Sequence, residues 1–210
     1  VGSGFSMVAF AKSGARVTGI DITDYAVRHA KRNLELRGLS GTVVRMDAQR
    51  LEFPDASFDF ANAWGCFMHV PDADRAIAEM HRVLRPGGKF LVYLYNRDSL
   101  LFWFSIIFLR GVMMGQLIRY RFDMDRLVGR YTDGITFGGN PHTRVYSVKT
   151  AEALFRKNGF SDAKAHVMPL ISAVETWPVR AFPVFRFLPE KMKAYSARKW
   201  SWALIVRGTK

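Results

Sequence analysis

Hydrophobic positions in the first half of the chain switch between short continuous or alternating runs and sets spaced by three or four residues. The run RVTGID, 16–21, reads as a short strand. After it, Thr23 offers an N-cap for a helix in which Val27, Ala30 and Leu34 recur at helical spacing, with Gly38 as its end. TVVRMD, 42–47, and FDFANAW, 58–64, read as buried strands separated by a loop holding Pro54 and Asp55. Asp72 can cap the next helix, whose Ala76, Ile77, Met80, Val83 and Leu84 share a face. RPGG, 85–88, is expected to stop that helix before the strand KFLVYLY. Strands alternating with helices predict crossover units and a mostly parallel sheet with helices on both faces, an α/β fold of the Rossmann-like kind.

The second half follows another pattern. LLFWFSIIFL, 100–109, is an apolar run of about 15 Å as a helix, too short for a bilayer core of about 30 Å, and predicts a buried or interfacial helix. A Gly/Asn/Pro-rich loop, TDGITFGGNPHT, precedes a helix expected from about Thr150 to Asn158 and closed by Gly159. AKAHVMPLI and SWALIVRGT read as the last two strands, separated by the basic and aromatic stretch WPVRAFPVFRFLPEKMKAYSARKW. The division this predicts is a first part over 1–98, an apolar and basic cap or lid over 99–145, and 146–210 returning to the same domain, interrupted by an insertion at about 172–199.

Charge sharpens this division. Residues 1–98 carry 13 Lys/Arg against 11 Asp/Glu, a net of +2, whereas 99–210 carry 18 against 7, a net of +11. A field placed on one half predicts an anionic partner, such as a membrane surface, nucleic acid or an acidic substrate. The single cysteine, Cys66, cannot form an internal disulfide and reads as packing in a reducing compartment. No His/Cys/Asp spacing suggests a metal site.

Candidate chemistry gathers where strands end. Gly2 and Gly4 lie where a strand would turn into a helix starting near Phe5, so that backbone amides and a helix N-terminus can approach a ligand. Asp21, ending the next strand, is placed to accept both hydroxyls of a ribose. The third glycine of a G-x-G-x-x-G pattern would fall at Met7, which speaks against a closely held pyrophosphate. With Asp47 after the following strand, then FDFANAWGCFMHV and VLRPGGKFLVYLYN, the chain resembles the class I S-adenosylmethionine-dependent methyltransferases, in particular the small-molecule branch that includes quinone methyltransferases. The resemblance covers 1–98 closely and 146–210 in outline.

That resemblance implies S-adenosylmethionine as cofactor. It places Gly2 and Gly4 under the amino-acid moiety, Asp21 with Ile22 at the ribose, Asp47 with Ala48 beside the adenine, and Ala63 with Trp64 along the methionine moiety. Ser6 departs from it by replacing the usual third glycine, and the family's first strand would precede Val1. An unfilled slot at the centre of the sheet, with exposed strand edges and poor folding of residues 1–210 alone, is the corresponding expectation.

His69 falls just after a strand end, where an imidazole could act as base or touch substrate. Tyr95 and Asn96 at the end of the fifth strand of the resemblance, and His142, Arg144 and Tyr146 after the Gly-rich loop, are the candidate acceptor contacts. The function expected is methyl transfer to a small hydrophobic acceptor, a lipid or quinone-like ring, by a cytoplasmic protein that also touches an anionic membrane surface. Docking on RNA or protein through the basic half is the alternative, with nucleic acid the less favoured partner because no RNA-binding module is recognisable. A cofactor-binding protein without catalysis is a further one.

Overall fold

The structure, a computed structural model, describes residues 1–132, 142–169 and 189–210. The chain opens with helix α1 (Phe5–Lys12), strand β1 (Thr18–Asp21), helix α2 (Asp24–Glu35) and strand β2 (Thr42–Arg45). The Thr23 side chain accepts from the Ala26 N–H, the capping bond its position predicted. β1 and β2 pair in parallel, Thr18 opposite Thr42 and Asp21 opposite Arg45. Met7, Val8, Val27, Ala30, Leu34 and Val43 form their shared core. Gly4 is fixed twice over here. Its φ of +78° suits glycine, and a Cβ on it would lie 3.0 Å from the Cα and Cβ of Ala30, so α1 and α2 approach only because that side chain is missing.

A second sheet is built from β3 (Phe58–Trp64), β4 (Leu84–Tyr95), β5 (Lys164–Val167) and β6 (Ala203–Thr209), in the order β3-β4-β6-β5. β3 and β4 are parallel, whereas β6 runs antiparallel to both β4 and β5. The described ladders are thus mixed, parallel in the first half of the chain and antiparallel at its end. No ladder joins the β1–β2 pair to this sheet among the described residues. The main core lies under β4: Phe90 stacks on Phe155 at 5.1 Å and meets Phe160 at 4.2 Å, with Ile77 and Met80 from helix α3 (Ala73–Val83) and Leu204 and Val206 from β6 around them.

RPGG does not separate helix from strand as the sequence suggests. α3 ends at Val83, and β4 starts at once with Leu84 opposite Phe58; the register then shifts, so that Phe60 faces Lys89. Residues 85–88 are accommodated as an irregularity inside the strand because Gly87 takes a φ of +77° and the chain end holds them. The Gly87 N–H donates to the Lys210 carbonyl, and the Lys210 N–H donates to that of Gly88, both at 2.9 Å.

The apolar run becomes a helix with π-type hydrogen bonding over Leu101–Met113, followed by short helices α4 (Gln116–Arg119) and α5 (Met124–Arg130). Phe102 and Ile106 pack with Leu127 and Val128 in a small core of their own, which touches the main domain through Val145 and Trp202. No helix among the described residues is long and apolar enough to cross a membrane. Helix α6 (Val148–Lys157) starts two residues earlier than expected because Ser147 and Thr150 form a reciprocal capping box. Most of TDGITFGGNPHT, namely 133–141, lies outside the described residues, as does 170–188, which takes in the end of AKAHVMPLI and 177–188 of the basic aromatic stretch. Its end forms helix α7 (Glu190–Trp200), which the sequence pattern did not predict.

Candidate active site

The glycine turn and the end of β1 are bonded to each other. One oxygen of the Asp21 carboxylate accepts from the Val1 nitrogen at 2.9 Å and the Gly2 N–H at 3.0 Å. The other accepts from the Thr23 N–H at 3.0 Å and its hydroxyl at 2.9 Å. Burial by itself pushes this carboxyl up, but hydrogen bonds such as those from the Gly2 and Thr23 N–H groups outweigh it and hold it below the usual carboxylate range. Asp21 is therefore an ionised acceptor at neutral pH. Gly2, at φ +52°, has open space where a Cβ would stand, so the turn presents its backbone without obstruction.

Asp47 follows β2 and binds Gln49, accepting from its N–H at 2.9 Å and from its side-chain amide at 3.0 and 3.1 Å. The Gln49 carbonyl in turn accepts from the Asp72 N–H at 3.1 Å, linking the end of β2 to the start of α3. Ala48 is partly buried against the main core and Ile22 is exposed. Ala63 is buried within the core, whereas the neighbouring Trp64 is exposed and stacks on Tyr93 at 5.0 Å. Cys66 lies just beyond, its thiol pushed up to about 11 by burial, which makes it a packing group rather than a nucleophile.

The candidate acceptor residues converge on one place. His69 ends a short 3-10 turn, Phe67–His69, with Nδ1 at 3.0 Å from the His142 carbonyl and 3.3 Å from the Thr143 hydroxyl. The segment after Pro141 is tied down alongside. The Arg144 N–H donates to the Met68 carbonyl at 2.9 Å, its guanidinium reaches the Pro71 carbonyl at 3.0 Å, and the Tyr146 N–H donates to the Tyr95 carbonyl at 2.8 Å. Burial raises the Tyr146 phenol above its ordinary value despite the nearby Arg144 guanidinium, so it stays neutral. His142 and Arg144 are exposed and Tyr146 is buried.

Tyr95 and Asn96 stand behind this rim. Tyr95 is closed off from solvent, meets the His69 ring at 5.7 Å and stacks on Trp202 at 4.4 Å. Asn96 is fully buried: its amide donates to the Ser201 carbonyl at 2.8 Å, its carbonyl accepts from the Asp98 N–H at 2.9 Å, and its own N–H reaches the Trp202 carbonyl at 2.8 Å. With these bonds Asn96 fixes the chain beneath the site. Trp202 and Thr143 escaped the sequence reading. Trp202 precedes the last strand, and only the register that sets Tyr95 opposite Ala203 brings it onto the Tyr95 ring. Among the described residues no group of His, Cys, Asp and Glu could hold a metal ion.

Comparison with known proteins bears on this geometry. Residues 1–92 match the family model described as a methyltransferase domain. The chain is 38% identical over 96 residues to a sterol 24-C-methyltransferase of Gibberella zeae, a match covering 42% of this chain and 25% of that protein. It is 38% identical over 79 residues to a demethylmenaquinone methyltransferase of Thermus thermophilus, covering 38% and 36%. An S-adenosylmethionine-dependent methyltransferase of Methanosarcina mazei superposes with a TM-score of 0.63 at 20% identity, covering 100% of this chain and 88% of that one. The chain spans about a quarter to a third of the length of the curated relatives it matches.

The fold is similar to that of solved S-adenosylmethionine-dependent methyltransferases, and residues 1–92 match a methyltransferase-domain model. S-adenosylmethionine is the cofactor this class implies. The residues present fit it, with an open glycine turn, an ionised carboxylate able to accept hydrogen bonds from hydroxyls and an exposed Trp64.

Proposed function

We propose that this protein transfers a methyl group from S-adenosylmethionine to a small hydrophobic acceptor of the lipid or quinone-like kind. The observation that carries the acceptor class is the aromatic wall formed by Trp64, Tyr93, Tyr95 and Trp202, which continues through Trp202 into the apolar core of the 101–131 segment. Such a wall favours an apolar molecule and excludes water. The names of the sterol and menaquinone relatives support the same class.

When bound, S-adenosylmethionine supplies a methyl group on a sulfonium that is already a good leaving group. The chain's part is to hold and align. Gly2, Gly4, Asp21 and Ile22 hold the amino-acid and ribose end, Asp47 and Ala48 the adenine end, and Ala63 and Trp64 the methionine side. His142, Arg144 and Tyr146 stand over the acceptor. His69, held at Nδ1 by the His142 carbonyl, stands at this rim as the candidate base wherever the acceptor has a proton to lose.

The test is to incubate the full-length protein with methyl-labelled cofactor and a lysate separated into lipid, small polar, RNA and protein fractions. Label is expected in the lipid fraction. Label in RNA or protein instead would favour docking through the basic half, which carries +11. Cofactor binding with no labelled fraction would favour a binding protein without catalysis.

A further inference from the structure

The segment from Leu101 to Arg130 buries one side and leaves another bare. In its π-type helix, Phe102, Ile106 and Gly111 are buried at spacings of four and five, the spacing that i→i+5 bonding gives to one stripe. Trp103, Phe108 and Val112, spaced by five and four, are all exposed, Trp103 by 55%. The helix lies against α4 so closely that a Cβ on Gly111 would stand 3.0 Å from the Leu117 side chain. Within α4 Ile118 is 75% exposed, and just after it Phe122 is 69% exposed. Apolar surface on this scale marks an interaction site rather than ordinary surface scatter.

The turn between α4 and α5 holds two side chains outward at a conformational cost. Arg121 and Phe122 have φ of +53° and +61°. The Arg121 N–H donates to the Ile118 carbonyl and the Phe122 N–H to that of Leu117, a helix-ending pattern in which glycine normally takes the place Arg121 fills.

Charge identifies the occupant. Residues 99–132 contain five arginines and two aspartates. Arg110 is turned inward, over the Tyr131 ring at 4.6 Å and onto the Ser105 hydroxyl. Arg119, Arg121 and Arg126 are exposed, and none of their guanidinium groups takes part in a described ion pair. Asp123 is occupied in capping α5, accepting from the Arg126 N–H at 3.0 Å. Exposed aromatic and aliphatic side chains flanked by unneutralised arginines complement a surface that is apolar below and anionic above.

We propose that this segment, through its exposed Trp103, Phe108, Ile118 and Phe122 and its exposed Arg119, Arg121 and Arg126, docks on an anionic lipid bilayer. Through Trp202 and Val145 this segment adjoins His69 and Tyr95, so docking sets the acceptor site against the lipid. That consequence rests on the hydrophobic-acceptor reading; the docking itself does not.

Flotation of the full-length protein with phosphatidylcholine vesicles containing or lacking phosphatidylglycerol, at low salt and without cofactor, tests it. Binding is expected only with phosphatidylglycerol. Replacing Arg119, Arg121 and Arg126 together by Gln should weaken it about fivefold per charge, about a hundredfold in all. Phe122→Ser with Ile118→Ser should weaken it at constant charge, and cofactor affinity by calorimetry should not move in either variant. Failure to bind the anionic vesicles, equal binding to neutral ones, or a concentration-dependent dimer abolished by Phe122→Ser would overturn the proposal. Vesicle binding without methyl transfer to any fraction would leave the docking standing and remove the enzymatic reading.

Discussion

Asp21 holds two N–H groups of the glycine turn and both donors of Thr23, so one carboxylate organises the turn and offers charge to a ribose. Charge-assisted hydrogen bonds contribute about 1.5–3 kcal/mol each. Asp21→Ala in the full-length protein should therefore weaken S-adenosylmethionine binding about ten- to hundredfold, and titration calorimetry checks this. Unchanged affinity would refute the assignment of the ribose site. His69 makes a different demand, because a base matters only after the substrates are bound. His69→Gln should lower kcat by about a hundredfold for an acceptor that must lose a proton, while the cofactor dissociation constant stays within error. A loss in cofactor affinity of the same size would reassign His69 to holding the 142–146 segment in place.

Among the elements, α1 is the most constrained by its neighbours. It enters through Gly4 in the left-handed region and lies so close to Ala30 that a Cβ on Gly4 would crowd it at 3.0 Å. Gly4→Ala adds a left-handed penalty and an overpacked methyl, together about 2–4 kcal/mol, and denaturant unfolding should show a lower midpoint with an unchanged slope. A midpoint equal to that of the parent protein would mean that α1 shifts away from α2 freely. The β4 strand shows how far an element was legible beforehand. KFLVYLY was plain from its apolar run, but RPGG looks like a stop signal in sequence and is carried inside the strand, because the Lys210 backbone pairs with Gly87 and Gly88 across more than a hundred residues. Local rules contain no such partner.

For the whole molecule, the sheet topology sets an order of stability. β4 is flanked on both sides and carries Phe90, Val92 and Leu94 in the main core, whereas β1 and β2 pair only with each other among the described residues. Amides of 89–95 and 203–209 should thus exchange with deuterium far more slowly than those of 18–21 and 42–45, as peptide-resolved mass spectrometry would show. Equal protection of both groups would mean that the two ladders open as a single unit.

What was legible is local. A glycine turn and an acid ending the next strand are read from spacing and residue type, the part assigned to Asp47 rests on the family resemblance, and alternation of strands with helices defines the α/β class without any long-range information. Tertiary structure decided which side chains meet. His69, Tyr95 and the 142–146 segment are brought together by strand register and by backbone bonds such as Arg144 to Met68, and Trp202 joins them only because β6 pairs antiparallel with β4. The arginines of the apolar segment were likewise alike in sequence, and packing separated them: Arg110 turns in over Tyr131, while Arg119, Arg121 and Arg126 face outward. The cause in each case is the same, since hydrophobic periodicity selects the buried face of an element but holds no record of which element it will be buried against.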